Sequence, residues 1–212
     1  MEKEFKQPLS TQLIPCVSTY PHTSSVNLGK PVIAVEPNAR NLHYLLKNIR
    51  DNEWANMAQV FPVALGGRTD ILQMWGGGTG ASLVKGWAAI PESYVTQVPV
   101  LSLDRVLGTE LCGKKSLILI DVEGAELLLL QGAGKTLVNE PRPIWFVEIS
   151  INEHQPEGTA TNPNFLQTFE MFFNLGYRAY TADDQIREIT KDNLEQILKG
   201  DFSLVTHNFV FR

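Results

Sequence analysis

Acidic residues stand where apolar runs stop. The stretch LILIDVEGAELLLLQGA (117–133) carries Asp121, Glu123 and Glu126 directly behind a row of aliphatic side chains. Glu36 follows VIAV (32–35), and Glu148 comes late in PIWFVEIS (143–150). A carboxylate beside Trp145, Phe146 and Val147 is costly unless it is paired or used. Gathered in one cleft, Glu36, Asp121 and Glu148 can bind hydroxyls, hold a divalent cation, or take a proton from an alcohol. The spacing does not choose among the three. Asp121 and Glu123 are two apart, so on extended chain they point to one side while Val122 points to the other. Gly124 then lets the chain turn into a helix, whose N-terminus favours nearby anions. That effect alone explains Glu126, which reads as a first-turn acid. Glu36 has two readings, a solvated loop acid or an acceptor for paired ribose hydroxyls.

These acids need a frame that delivers them to one place. VIAV is a short strand, and Asn38 is a candidate N-cap for a helix over 39–52, with Leu42, Leu45, Leu46 and Ile49 on one face. AQVFPVAL (58–65) reads as one strand, and DILQMW (70–75) as the first arm of a hairpin. GGGTGAS (76–82) is a glycine-rich turn; GTGAS either closes over a ligand or is a mobile tip. TQVPVLSL (96–103) is extended, with Asp104 as cap of the short helix after it. A strand over 116–122 leads into one helix over 124–138. The strand 143–150, a helix over 162–177 and closing strands over 177–183 and 204–212 complete the pattern.

Strands alternating with helices predict an α/β fold with a mostly parallel sheet and an antiparallel C-terminal edge strand. The runs at 32, 117 and 144 look apolar on both faces, as a sheet covered on both sides requires. Residues 1–30 read as an irregular N-terminal segment and 31–212 as the domain. Within that segment LIPCV (13–17) is a possible strand, though Pro15 suits a sheet edge better than a centre. In open sheets of this kind ligands bind beyond the carboxyl ends of the strands, where Glu36, Asp121, Glu123 and Glu148 fall.

A formal net charge of −5 gives no basic surface for nucleic acid. No apolar run approaches the roughly 20 residues of a membrane helix, and MEKEFKQP is too polar for a signal peptide, so a cytoplasmic protein is expected. Cys16 and Cys112 have no metal or disulfide spacing and read as free buried thiols. His22, His43, His154 and His207 are scattered, and only His154, shortly after Glu148, is a candidate substrate contact.

Taken in order, VIAVEPNARNLHYLLKNI, VFPVALGGRTDILQMW, GASL, VPVLSLDRVL, LILIDVEGAELLLLQGA and RPIWFVEIS resemble the FkbM family of methyltransferases over residues 28–150. The resemblance implies a Rossmann-like, S-adenosylmethionine-dependent methyltransferase acting on a hydroxyl of a sugar or small natural product. It places Glu36 on the cofactor ribose within the turn Glu36-Pro37-Asn38, and Val63, Ala64 and Leu65 near the adenine. It places Asp121 and Glu123 by the transferred methyl or the acceptor, and Glu148 on the acceptor side. One family feature has no counterpart. The glycine-rich loop of type D-x-G-A-N-x-G after the first strand does not occur in residues 1–31, where Gly29 is the only glycine. The first strand and its loop are therefore atypical or missing, and the alternative function is an inactive methyltransferase-like binding module.

Overall fold

The computed structural model describes residues 11–16, through their backbone, and residues 30–212. In chain order the elements are β1 (Thr11–Cys16), β2 (Val32–Val35), α1 (Ala39–Asp51), β3 (Ala58–Phe61), β4 (Ala64–Leu65), β5 (Asp70–Trp75) and β6 (Val95–Leu101). There follow α2 (Leu103–Leu107), β7 (Lys115–Ile120), α3 (Glu126–Leu130), α4 (Gly134–Leu137), β8 (Ile144–Glu148) and α5 (Phe165–Phe173). The chain closes with β9 (Ala179–Thr181), β10 (Glu188–Ile189), α6 (Lys191–Lys199) and β11 (Asn208–Phe211).

Six strands form one sheet in the order β1-β7-β8-β11-β9-β10. β1 and β8 flank β7 in parallel, with Leu13 opposite Leu117 and Ile118 opposite Trp145. β2 runs beside β1 and pairs parallel with β3 in a sheet of two. The segment read as irregular thus contributes a strand between β2 and β7. Pro15, which suits an edge, therefore lies inside the row of strands, opposite Leu119 of β7. The slot for the glycine-rich loop, 17–29, lies outside the described residues, as does His22.

The C-terminal strand is antiparallel, but it does not lie at the edge. β11 is inserted between β8 and β9, and β10 holds the edge. In that place Phe209 and Phe211 have no exposed surface. They pack with Trp145, Phe165, Phe169 and Phe172 into an aromatic core between α5 and the sheet, with the rings of Phe172 and Phe211 stacked 3.9 Å apart. The other faces of β7 and β8 are less enclosed than a doubly covered sheet implies. Ser116, Ile118 and Ile120 are buried, while Leu117 and Leu119 are half-exposed.

Two predicted elements are split. The run 58–65 breaks at Pro62: β3 stays with β2, and Ala64-Leu65 cross over to pair with β6 in a second sheet of order β4-β6-β5. The run 124–138 is two helices, with Gly132 between them lodged against a neighbouring loop. A Cβ there would fall 2.1 Å from the Gly66 carbonyl oxygen. Asp104 does not cap α2; Ser102 does, through Arg105 N–H. Asp104 instead accepts from Lys135 N–H, Thr136 N–H and Thr136 Oγ1–H, serving α4 from a distance. Helix α6 and strand β10 were not expected, although Thr190 at the start of α6 and Gly200 at its end mark the helix. Cys112 is exposed, not buried, and among the described residues no helix is long and apolar enough to cross a membrane.

Candidate active site

The carboxyl ends of β2, β4 and β7 open onto one cleft. Of the expected residues, Glu36, Pro37, Ala64, Leu65, Asp121 and Glu123 line it, joined by Asn41, Met74, Gly78 and Thr79. Glu36 extends the β2 ladder by one bond, its N–H donating to the Phe61 carbonyl at 3.0 Å. Its side chain is 4% exposed, and Oε1 accepts the Asn38 N–H at 2.7 Å. Burial pushes the Glu36 carboxyl up to about 7, against the pull of the bonds from Asn38 and Asn41. Asn38 does not line the cleft and does what its type predicts, capping α1 by accepting from Arg40 and Asn41 N–H. Val63 packs against the core and also stays outside the cleft.

Asn41 ties down the cleft's roof. Its Nδ2–H donates to the Gly78 carbonyl at 3.0 Å. The hairpin tip is a 3-10 turn over Gly78–Gly80, followed by a return in which Trp75 and Ser82 exchange backbone bonds of 2.8 and 3.0 Å. The connection 76–94 is therefore anchored at both shoulders. It also supplies two groups to the β7–α3 junction. Ser82 Oγ–H donates to the Glu123 carbonyl at 2.5 Å, and Trp87 Nε1–H donates to Glu123 Oε2 at 2.8 Å.

The junction is not extended chain. β7 ends at Ile120, and Glu123 and Gly124 both take positive φ, +52° and +89°. Only the second residue is a glycine, which adopts positive φ freely; Glu123 is held in the left-handed region. Asp121 and Glu123 share the cleft because of this turn, and not through strand alternation. Gly124 is required twice, since a Cβ there would also meet the Trp87 ring at 2.5 Å. Burial raises the Glu123 carboxyl above its usual range; the Trp87 bond opposes this, Asp121's charge adds to it and His154 opposes it. Glu126 is 4% exposed and folds back to accept the Gly124 N–H at 2.9 Å, which makes it a helix-start acid.

The sequence profile of the methyltransferase FkbM domain matches residues 13–179. The chain belongs to the FkbM methyltransferase family. Among solved structures it is similar to methyltransferase FkbM from Methylobacillus flagellatus KT, with a TM-score of 0.54 and 16% identity over 98% of this chain. It spans 45% of that protein's length. A precorrin-6y C5,15-methyltransferase from Geobacter metallireducens GS-15 is matched at 10% identity and a TM-score of 0.39, over 96% of this chain and 78% of that one. No curated protein matches the sequence significantly.

The acceptor-side acid expected from the FkbM pattern, Glu148, ends β8 outside the cleft lining. It is half-buried, and burial, then the charges of Asp121, Glu123 and Glu153, push its carboxyl up to about 7. Glu148 is therefore close enough to Asp121 and Glu123 to feel their charge. Beyond Glu148, His207 Nδ1 lies 3.2 Å from Glu153 Oε2, and the His154 ring is 6.0 Å from that of Trp87. Among the described residues no group of three or more His, Cys, Asp or Glu is arranged to hold a metal ion. Trp87, Ser82 and Asn41 are the site-building residues that the sequence did not announce. The signal for Asn41 was present, since it lies on the first turn of a helix aimed at the cleft. Trp87 had none, because only the fold brings 87 to 123.

Proposed function

We propose that this chain is an S-adenosylmethionine-dependent O-methyltransferase acting on a hydroxyl of a sugar or small natural product. One observation carries the reading: Glu36 opens on the same cleft as Asp121 and Glu123, across a floor of Ala64, Leu65 and Met74. The donor set suits the cofactor. Glu36 offers buried carboxylate oxygens to a hydroxyl pair, with one oxygen already braced by Asn38. Ala64, Leu65 and Met74 offer apolar surface to a base. When bound, the cofactor supplies a methyl group activated on a sulfonium.

The chain's residues do the rest by placement. Asp121 and Glu123 would hold the acceptor hydroxyl at the β7–α3 turn, and one of them would take its proton as the methyl group leaves the sulfonium sulfur for the oxygen. Glu148 reinforces this through charge. With Asp121 and Glu123 nearby, a proton taken up by the group is retained more readily than by an isolated carboxylate. A second reading, a methyltransferase-like binding module, is favoured by the lack of a D-x-G-A-N-x-G loop in residues 1–31.

Calorimetric titration with S-adenosylmethionine separates the two. Binding is expected, weakened about tenfold or more in Glu36→Ala, a loss of at least ~1.4 kcal/mol. Asp121→Asn retains cofactor binding and loses turnover. No binding at about 1 mM cofactor would defeat the enzyme reading, and the reverse pattern in the two variants would defeat the role assignment.

A further inference from the structure

We propose that Trp87 is a positioning residue, whose indole N–H fixes the Glu123 carboxylate in the cleft. The inference rests on the reading of Glu123 as an acceptor-side acid. Three contacts carry it. Trp87 Nε1–H donates to Glu123 Oε2 at 2.8 Å. The indole is 3% exposed, so the bond forms away from competing water. Its six-membered ring lies where a Cβ on residue 124 would be, so the Trp87 ring and the Gly124 turn specify each other.

The backbone around Trp87 is unusual in a way that serves this placement. Gly86, Ala88 and Ala89 have φ of +80°, +51° and +53°, and the last two are alanines. Holding L-residues there costs energy, which persists only where surrounding contacts over-determine the conformation. The Ala88 N–H bond to the His154 carbonyl, 2.8 Å, and the bond from Ser82 to the Glu123 carbonyl are two such contacts. A loop that only spanned β5 and β6 needs none of this. Here it carries one neutral donor to one carboxylate.

A neutral donor has a distinct consequence. Glu123 is faced by Asp121, Glu126 and Glu148, all acidic, and by His154. A lysine or arginine in place of Trp87 would hold Glu123 ionised and bind it as an ion pair. The indole orients the carboxylate and favours its ionised form more weakly, leaving it able to exchange a proton.

The test uses the full chain with 13C-labelled glutamate carboxyls, followed by NMR against pH. The Glu123 resonance is identified by its absence in Glu123→Gln. In Trp87→Phe, which keeps an aromatic ring beside Gly124, its titration midpoint moves upward by about 0.5 pH unit or more. In Ser82→Ala, which removes the bond to the Glu123 carbonyl and the one from the Val84 N–H but keeps the indole N–H, it stays in place. Identical midpoints in wild type and a folded Trp87→Phe would overturn the proposal. If Trp87→Phe does not fold, the wild-type Trp87 indole N–H resonance decides. It must shift with pH at the Glu123 midpoint, and a pH-independent resonance overturns the proposal. Failure of S-adenosylmethionine to bind would refute the function proposed above and leave this measurement unaffected.

Discussion

Three glutamates, 36, 126 and 148, have carboxyls pushed up to about 7, and burial is the first cause in each. For Glu126 the consequence is one of stability. Between pH 4.5 and 7 the folded state keeps its proton while the unfolded chain releases it. The folded state then binds more protons, so stability falls as pH rises through this window and levels off above it. Glu126→Gln removes the charge and keeps an oxygen for the Gly124 N–H. We expect the variant to be more stable than wild type at pH 8 by on the order of 1–3 kcal/mol, with little difference at pH 4.5. Urea unfolding at the two pH values checks this. Equal stabilities at pH 8 would mean that Glu126 is not held protonated. The residue types were legible in sequence here: Glu126 reads as a helix-start acid from its place in the first turn. Its burial was not, because that depends on how the connection 76–94 packs over the junction, and nothing local encodes that.

At the scale of elements, punctuation was legible where chemistry is local and opaque where it is remote. Asn38 and Gly176 mark their helix boundaries through the chain's own bonds, a side-chain cap for α1 and a left-handed turn after α5. The break between α3 and α4 is local in part, since Gly132 and Gly134 both weaken a helix. What is remote is the Gly66 carbonyl, which occupies the space a side chain at 132 would need. Asp104 reads locally as the cap of α2, yet its carboxylate serves α4, some 30 positions on. Gly132→Ala must therefore push two loops apart, and we expect a loss of about 2–3 kcal/mol. Asp104→Ala removes a remote cap, costing about 1 kcal/mol. Thermal unfolding ranks the pair. A Gly132→Ala melting point equal to wild type would show that the Gly66 loop yields freely.

At the scale of the whole molecule, the position of Glu148 depends on the last residues of the chain. The match to the FkbM domain profile ends at 179, but the sheet does not end there. β11 lies between β8 and β9, and its Asn208 stands opposite Glu148. The alternation of LVTHNFVFR made a strand legible; its insertion into the interior was not, because order within a sheet is set by which faces the other strands leave uncovered. Phe209 and Phe211 fill the gap beneath α5 with no exposed surface. Removing residues 204–212 strips two buried phenylalanines, at about 3–5 kcal/mol each, and turns β8 and β9 into unpaired edges. That loss is comparable to the entire stability of a domain of this size. The truncated chain should therefore lack a cooperative unfolding transition and aggregate on expression. Phe209→Leu, which keeps the strand and most of the volume, should fold with a lowered midpoint. A truncated chain that remains monomeric and melts cooperatively would show that the domain folds without β11, and would detach Glu148 from the strand that now pairs with it.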